Sequence, residues 1–287
     1  MALTKGVVNE LQKFFNSATK QVKLNSKLGK FLSDYQDLGK INQTSKLLSF
    51  DVSQKKNLRA ELEQTYGQTL LTVNFNELTY LQSANVSKQE KLAGVKPNDN
   101  YVLVKVLSEN ALSINGHKQI PSNLAMRVSI DDIGVSAIKH LVVIENLTAF
   151  DHIDKAILPP QLMSAVFIYR GHEKYNAKGC LNLLNKLPQA CQIIAFTDFD
   201  PKGLEIALTI AKVSACLLPE LSRELIATSH EPDYEKQYSS MVYLNKVNNK
   251  HLREYIKSIE SKRLSIKQEH ILVTHSPLSL VKIEPNK

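Results

Sequence analysis

The chain has 287 residues and a formal net charge of +8, and this length allows a hydrophobic core that needs neither disulfides nor a metal for folding. Hydrophobic residues make up 43% and charged residues 22%, proportions that exclude a disordered chain. The apolar runs fall well short of the roughly 20 residues of a membrane helix, and the N-terminal segment lacks the apolar core of a signal peptide. We therefore expect a cytoplasmic protein with no membrane partner.

The positive charge is concentrated at the two ends of the chain. Eleven basic against four acidic residues give residues 1–60 a net charge of +7, and nine against four give residues 241–287 a net charge of +5. The middle of the chain is therefore net acidic. Basic ends favour binding to a polyanion such as double-stranded DNA, and a solvated lysine face is the alternative. The N-terminal lysines that we predict to contact DNA include Lys27, Lys30 and Lys46.

Residues 1–95 are predicted to form a basic helical domain. Apolar residues at helical spacing predict an amphipathic helix over residues 24–38. A short helical stretch over 42–48 and a third helix that ends at Gly67 are predicted to follow. Three short helices with a basic surface favour a helix-turn-helix or winged-helix module. A generic helical bundle with a solvated lysine face is an equal alternative.

Residues 96–133 are predicted to form a small antiparallel β unit. Alternating apolar residues predict strands over 101–107 and 124–130, with a shorter strand over 111–114 between them. The dipeptide at 115–116, Asn-Gly, is a strong hairpin turn signal.

Residues 134–287 are predicted to form an α/β domain. Continuous apolar runs predict strands over residues 141–144, 165–169, 192–196 and 215–218. Amphipathic segments predict helices over residues 147–157, 177–187 and 204–213. Runs that are apolar on both faces and alternate with helices are typical of a Rossmann-like parallel sheet with helices on both faces.

Two of the predicted parallel strands end in acidic residues. The first runs into Glu145, and the third runs into Asp198-Phe199-Asp200, followed by Pro-Lys-Gly. Ligands of open parallel sheets bind beyond the carboxyl ends of the strands, and residues two apart in an extended segment project to the same side. Three converging carboxylates raise one another's pKa unless a cation is present. Because Mg²⁺ is held by carboxylates and substrate phosphate, we predict a Mg²⁺ or Mn²⁺ site. For Glu145 or Asp198 alone, the alternative is that the side chain only caps the following helix.

Three basic residues near the same predicted edge are candidates for contact with a scissile phosphate. Lys202 follows the acidic turn, and Arg170 and His172 leave the second predicted strand. A solvated side chain is the alternative for Lys202 and Arg170, and single histidines at strand ends are more often structural.

The order of these motifs resembles the Toprim domain, which topoisomerases, primases and certain nucleases share. The segment TDFDPKGLEIA, residues 197–207, is similar to the topoisomerase VI A-subunit branch of that family. The segments VVIENLTAF, residues 142–150, and IYRGH, residues 168–172, resemble more closely the Toprim domain of the JetD (MksG) nucleases of Wadjet anti-plasmid SMC systems. The resemblance covers about residues 135–287.

This resemblance implies a Mg²⁺-dependent DNA endonuclease that hydrolyses phosphodiester bonds at Glu145, Asp198 and Asp200. It also implies an SMC–kleisin–kite motor complex as partner and a homodimer that positions two sites. Topoisomerase VI relatives cut through a tyrosine on a winged helix, and nothing in this sequence matches that tyrosine's context. Hydrolytic cleavage is therefore expected. Glu145 is either a metal ligand or a general base.

Functions of other classes are compatible with parts of the pattern. A metal-dependent glycosyltransferase also uses Asp-x-Asp, and a haloacid-dehalogenase-like phosphatase uses it as a nucleophile on the first strand of its core. A Toprim-type protein without catalysis, which only binds DNA or serves as a scaffold, is the third alternative.

Overall fold

Residues 1–97 and residues 98–287 fold around separate hydrophobic cores in the computed structural model. The structure describes residues 3–88, 92–96, 98–117, 119–172 and 177–284. Within these ranges, no helix combines the length and the apolar character needed to cross a membrane.

The N-terminal unit, residues 1–97, combines short helices with a three-stranded sheet. Its α-helices are α1 (Lys5–Phe15), α2 (Lys27–Leu32), α3 (Val52–Tyr66) and α4 (Tyr80–Val86), and a 3₁₀ helix spans Ser33–Leu38. Its strands are β1 (Gln21–Lys23), β2 (Lys40–Asn42) and β3 (Leu47–Ser49). The sheet is antiparallel in the order β1-β3-β2.

The third predicted helix of this unit is confirmed as α3. Asp51 begins it with a capping box, because its side chain accepts the backbone N–H of Gln54 at 2.8 Å and the Gln54 side chain accepts the N–H of Asp51 at 2.9 Å. The helix ends at Gly67. Its buried residues Leu58 and Leu62 belong to the core of the unit.

The first two predicted helices of the unit are corrected. The helix expected over 24–38 is divided into α2 and the 3₁₀ helix, where Tyr35 has non-helical backbone angles. The helical prediction for 42–48 is wrong, because these residues form the β2–β3 hairpin. Asn42 Oδ1 accepts the N–H of Ser45 at 3.0 Å and Lys46 has φ 54°, so a local turn replaces helical hydrogen bonds.

The C-terminal unit, residues 98–287, is built on a seven-stranded mixed sheet. Its strands are β4 (Tyr101–Val106), β5 (Met126–Ser129), β6 (His140–Ile144), β7 (Val166–Tyr169), β8 (Gln192–Phe196), β9 (Val213–Pro219) and β10 (Leu278–Lys282). The sheet order is β10-β9-β8-β6-β7-β4-β5. The four central strands are parallel, as predicted, and the outer strands are antiparallel to their neighbours.

Helices cover both faces of this sheet. They are α5 (Leu147–Asp151), α6 (Ala177–Lys186), α7 (Pro201–Thr209), α8 (Arg223–Ala227), α9 (Glu231–Glu235), α10 (Tyr238–Leu244), α11 (Arg253–Lys262) and α12 (Gln268–Val273). Successive strand residues alternate between two cores: Ile144 and Phe196 pack with α5, α7 and α10–α12, whereas Val143 packs with α6. The α/β prediction is therefore confirmed.

The strands that the structure describes within residues 96–133 belong to the seven-stranded sheet. The two strands β4 and β5 extend the edge of the seven-stranded sheet, because β4 pairs with β7 as well as with β5. The strand expected over 111–114 is wrong. Ile114 makes only isolated bridges, to His117 and Ile133.

The predicted helix boundaries also change. The helix expected over 147–157 ends as an α-helix at Asp151, and the one expected over 204–213 begins at Pro201, directly after its cap Asp200.

Two helical glycines of the N-terminal unit predict opposite effects of the same substitution. A Cβ at Gly29 would lie 2.0 Å from the carbonyl oxygen of Lys23, whereas one at Gly6 would meet nothing closer than 4.0 Å. We expect Gly29→Ala to lower the free energy of unfolding by about 1–3 kcal/mol through overpacking, and Gly6→Ala to raise it by about 0.5–1 kcal/mol. Urea unfolding measures both, and equal effects would contradict the described packing.

Candidate functional site

The strand order places two acidic strand ends at a topological switch point. The chain leaves β6 for β7 on one side and then returns to β8 on the other side of β6. The crevice at such a point, beyond the carboxyl ends of the strands, is where α/β sheets bind ligands. Glu145 follows β6, Asp198 follows β8, and Arg170 follows β7. The sheet therefore brings these three residues to one edge.

Backbone pairing fixes the position of each strand end. The N–H of Glu145 donates to Phe196 O at 3.0 Å, and the N–H of Arg170 donates to Ile144 O at 2.8 Å. Asn146 then caps α5, since its side chain accepts the N–H groups of Thr148 and Ala149. Glu145 is thus held between a paired strand and a capped helix.

Asp198 and Asp200 lie on the same side of an extended segment, as predicted. Phe199, between them, is fully buried and pairs with Ile266 through N–H to O distances of 2.8 and 3.1 Å. Because neighbouring side chains of extended backbone point in opposite directions, both aspartates face away from Phe199. The ammonium group of Lys267 contacts both of them.

Asp200 also forms the cap of α7. Its Oδ1 accepts the N–H of Gly203 at 2.7 Å, and Pro201 occupies the first helical turn. A Cβ at residue 203 would lie 2.0 Å from the carbonyl oxygen of Asp198, so this close approach requires glycine. The Oδ2 atom accepts from Gln237 at 2.9 Å and Ser265 at 3.1 Å. Capping, the alternative for Glu145 or Asp198 alone, is instead the role of Asn146 and Asp200, and Asp200 is 1% exposed.

A C-terminal segment completes the site, although no motif in it indicates chemistry. Fully buried Gln268 donates its backbone N–H to Asp198 Oδ1 at 2.9 Å and its side-chain amide to Phe196 O at 3.1 Å. Its amide oxygen accepts the N–H of Asn146 at 2.9 Å. Gln268 therefore joins the ends of β6 and β8. Sequence patterns did not identify Gln268, because its contacts join residues far apart in the chain.

The site holds an excess of buried negative charge. Burial, and then the nearby Asp198 carboxylate, raise the pKa of Glu145, and Arg170 Nη2 at 3.7 Å from Glu145 Oε1 offsets only part of this effect. Burial also raises the pKa of Asp198, although the Gln268 N–H and Lys267 oppose it. Burial alone would lower the pKa of Lys267, but Asp198 and Asp200 outweigh it and the pKa is raised.

Two buried polar atoms at this edge have no hydrogen-bond partner within the described part of the chain. They are Oε2 of Glu145, an acceptor, and Nε of Arg170, a donor. A buried polar atom without a partner costs free energy, and such atoms in a crevice are where a ligand is expected to bind. Although these two atoms are buried, 21% of the Glu145 side chain and 34% of the Arg170 side chain remain exposed.

The remaining predicted residues are Lys202 and His172 of the C-terminal unit and three lysines of the N-terminal unit. Lys202 is directed at Glu205, with Nζ 3.0 Å from Oε2, and its backbone N–H donates to Gln237. His172 is exposed and follows Gly171, whose φ is 81°. In the N-terminal unit, the side chains of Lys27, Lys30 and Lys46 are exposed.

The described residues contain no cluster of three or more His, Cys, Asp or Glu side chains arranged to hold a metal. A cation is nevertheless present between two of the predicted ligands. Lys267 Nζ lies 3.1 Å from Asp198 Oδ2 and 3.4 Å from Asp200 Oδ2. The predicted metal site is therefore, in this structure, a carboxylate pair bridged by an ammonium group.

Comparison with known proteins identifies a family. The family model described as Domain of unknown function (DUF7281) matches residues 99–280, which is more than half of the chain. No curated protein matches the chain.

The pKa shifts of two glutamates predict opposite effects of their ionisation on the stability of the fold. The folded pKa of Glu145 lies above its ordinary 4.5, so ionisation destabilises the fold progressively as pH rises from that value. We expect the melting temperature of Glu145→Gln, measured in EDTA, to lie above that of the wild type at pH 7. Near pH 4 the two melting temperatures should be equal.

Glu205 is the matched control. A hydrogen bond from Ser240, then one from Lys202, lower the pKa of Glu205, so its ionised form stabilises the fold above 4.5 and that stability is lost as pH falls. Glu205→Gln should therefore melt below the wild type at pH 7. Shifts of the same sign for both variants would contradict the described environments.

Proposed function

The chain belongs to the DUF7281 family, and we propose that its C-terminal unit is a metal-dependent endonuclease that hydrolyses phosphodiester bonds of double-stranded DNA. One observation carries this proposal. A buried acceptor of Glu145 and a buried donor of Arg170, both without partners in the described chain, lie together at the switch point of the sheet. A cation and a phosphate are the pair of ligands that match a carboxylate oxygen and a guanidinium N–H that both lack a partner.

The donor set fits Mg²⁺ or Mn²⁺. Carboxylate oxygens are the ligands that these hard cations prefer, and the raised pKa values of Glu145 and Asp198 mark negative charge that a cation would stabilise. We assign the metal to Glu145 and Asp198, with Asp200 adding charge from its capping position. When bound, such an ion polarises a phosphodiester and lowers the pKa of water.

Residues of the chain itself supply the remaining functions. Arg170 binds a phosphate oxygen through Nε, since planar guanidinium groups suit phosphate. Gln268 keeps the ends of β6 and β8 at fixed separation through its hydrogen bonds to Phe196 and Asn146. If Glu145 is not a metal ligand, its raised pKa suits a general base that accepts a proton from the attacking water.

The N-terminal unit is proposed to bind the DNA backbone as a winged-helix module. Its first six elements follow in the order α1, β1, α2, 3₁₀ helix, β2 and β3, and its sheet has the order β1-β3-β2. This arrangement supports a winged-helix assignment, with the β2–β3 turn as the wing. The N–H of Leu24 donates to Lys46 O at 2.9 Å, which holds that turn beside the chain leading into α2. Exposed Lys27 and Lys30 lie on α2 itself.

The wider assignment is to an anti-plasmid system. We propose that the protein acts in the cytoplasm as a homodimer and cuts DNA presented by an SMC–kleisin–kite motor complex. The resemblance of residues 142–150 and 168–172 to the JetD (MksG) Toprim domain supports this proposal. If the cell that encodes this chain also encodes such a motor complex, deletion of the motor genes should abolish plasmid restriction, and unchanged restriction would contradict the proposal.

A second candidate is a DNA-binding or scaffold protein without catalysis. The observation in its favour is that Lys267 bridges Asp198 and Asp200, and that both oxygens of Asp200 already accept hydrogen bonds. This candidate predicts DNA binding without metal-dependent cleavage.

The first test of the proposed function is metal-dependent cleavage of supercoiled plasmid DNA. We expect nicked or linear product with Mg²⁺ or Mn²⁺ and none in EDTA, because the carboxylates need the cation. Glu145→Gln and Asp198→Asn are expected to lower the rate by about 10²- to 10⁴-fold, as followed by gel electrophoresis. The control is Glu254→Gln, whose carboxylate lies on α11 with 81% of the side chain exposed.

Two results would overturn the assignment. Cleavage that persists in both site variants would place the chemistry elsewhere. Binding of DNA by the wild type with no cleavage under any metal, with the motor complex present, would favour the non-catalytic candidate.

The second test concerns the lysines of the N-terminal unit. Replacing Lys27, Lys30 and Lys46 together by Gln should weaken DNA binding, because fewer phosphates are neutralised. The slope of log K against log salt should become less negative by about 0.9 for each phosphate that the variant no longer neutralises. Fluorescence anisotropy over a salt series measures both. The matched control replaces exposed Lys139, Lys155 and Lys236 of the C-terminal unit. Equal weakening in the two triple variants would show a nonspecific charge effect.

A further inference from the structure

Lys267 is held at the acidic site by its backbone, while its side chain is partly exposed. Ile266, before it, pairs with Phe199, and Gln268, after it, donates its N–H to Asp198. Residue 267 is therefore anchored on both sides to the segment that carries the aspartates. Its side chain is 39% exposed, and a four-carbon stem with rotatable bonds allows the ammonium group to leave without a change of fold.

The ammonium group occupies oxygens that a divalent cation would need. It lies 3.1 Å from Asp198 Oδ2 and 3.4 Å from Asp200 Oδ2. A metal ion such as Mg²⁺ binds carboxylate oxygens at about 2.1 Å, so an ion on Asp198 Oδ2 would lie within about 5 Å of the ammonium group and would be repelled by its positive charge. The other oxygen of Asp198 accepts the Gln268 N–H. Binding of a metal to this carboxylate therefore competes with Lys267.

The same contact reduces repulsion between the two aspartates. Two aspartates on one side of an extended segment repel each other, and Asp200 is 1% exposed, so water screens that repulsion poorly. One positive charge placed between them offsets the repulsion. Breaking a buried ion pair by removing one partner leaves the other charge without compensation.

We propose that Lys267 is the resident cation of the Asp198–Asp200 pair, and that it must leave this pair before a divalent metal binds. Lys267 thus stabilises the metal-free protein and weakens its affinity for metal. This inference rests on the proposed function only for the assignment of the metal to Asp198, and its tests measure metal binding and stability instead of cleavage.

The direct test is Mn²⁺ affinity of the full chain, measured by isothermal titration calorimetry and by electron paramagnetic resonance of free Mn²⁺. Lys267→Gln should bind Mn²⁺ at least about tenfold more tightly than the wild type, because a like charge beside the ligands is removed. Lys267→Arg, which keeps the charge, should bind close to the wild-type value. Lys262→Gln, an exposed lysine on α11, is the charge-matched control.

Thermal melting in EDTA provides the second measurement. Lys267→Gln should melt below the wild type, and the loss should become small when Asp198→Asn is also present, since the two residues act as a pair. Addition of Mn²⁺ should restore the melting temperature of Lys267→Gln more than it raises that of the wild type.

The outcomes separate this inference from the proposed function. Equal Mn²⁺ affinity in Lys267→Gln and the wild type overturns the role of Lys267 but leaves a metal site in place. Tighter binding without DNA cleavage supports the role of Lys267 and argues against the nuclease. Absence of Mn²⁺ binding in every variant overturns both.

Discussion

Repulsion between buried carboxylates at the ends of β6 and β8 is the constraint around which the C-terminal unit is organised. Glu145 and Asp198 are partly buried at adjacent strand ends, and burial raises the pKa of each. Three groups from two parts of the chain offset this charge: Arg170 after β7 and, from the segment that leads into α12, the backbone N–H of Gln268 and the ammonium group of Lys267. The segment that leads into α12 is therefore as much a part of the site as the strands that carry the acids.

This arrangement gives the two candidate functions a common structural origin. An edge that concentrates negative charge is suited to a divalent cation, and a lysine held beside it supplies a weaker, internal substitute. The structure contains both features, since Glu145 Oε2 has no partner among the described residues while Asp198 has Lys267. The proposed catalysis therefore requires a divalent cation in place of the ammonium group of Lys267.

Sequence patterns predicted most of the features that depend on residues close together in the chain. Continuous apolar runs indicated the four central strands, and their acidic ends indicated the edge at which Glu145 and Asp198 meet. The 42–48 hairpin was missed because its short apolar segment fits helical and alternating spacing equally, and the Asn42 turn decides between them. Strands β4 and β5 were assigned to a separate unit because their pairing with β7 is a long-range contact with no local signal.

Sequence motifs do not indicate the roles of Lys267 and Gln268, because these roles also depend on long-range contacts. Their contacts with Asp198 join residues about seventy positions apart, and a lone lysine before a short helix is by itself no signal in a basic C-terminal segment.

The most direct test of the resident-cation site is anomalous diffraction from crystals soaked in Mn²⁺. We expect an anomalous peak bound by Glu145 and Asp198, with the ammonium group of Lys267 moved away from Asp198. An empty edge with Lys267 still bridging the two aspartates, at Mn²⁺ concentrations that support binding in solution, would contradict this expectation.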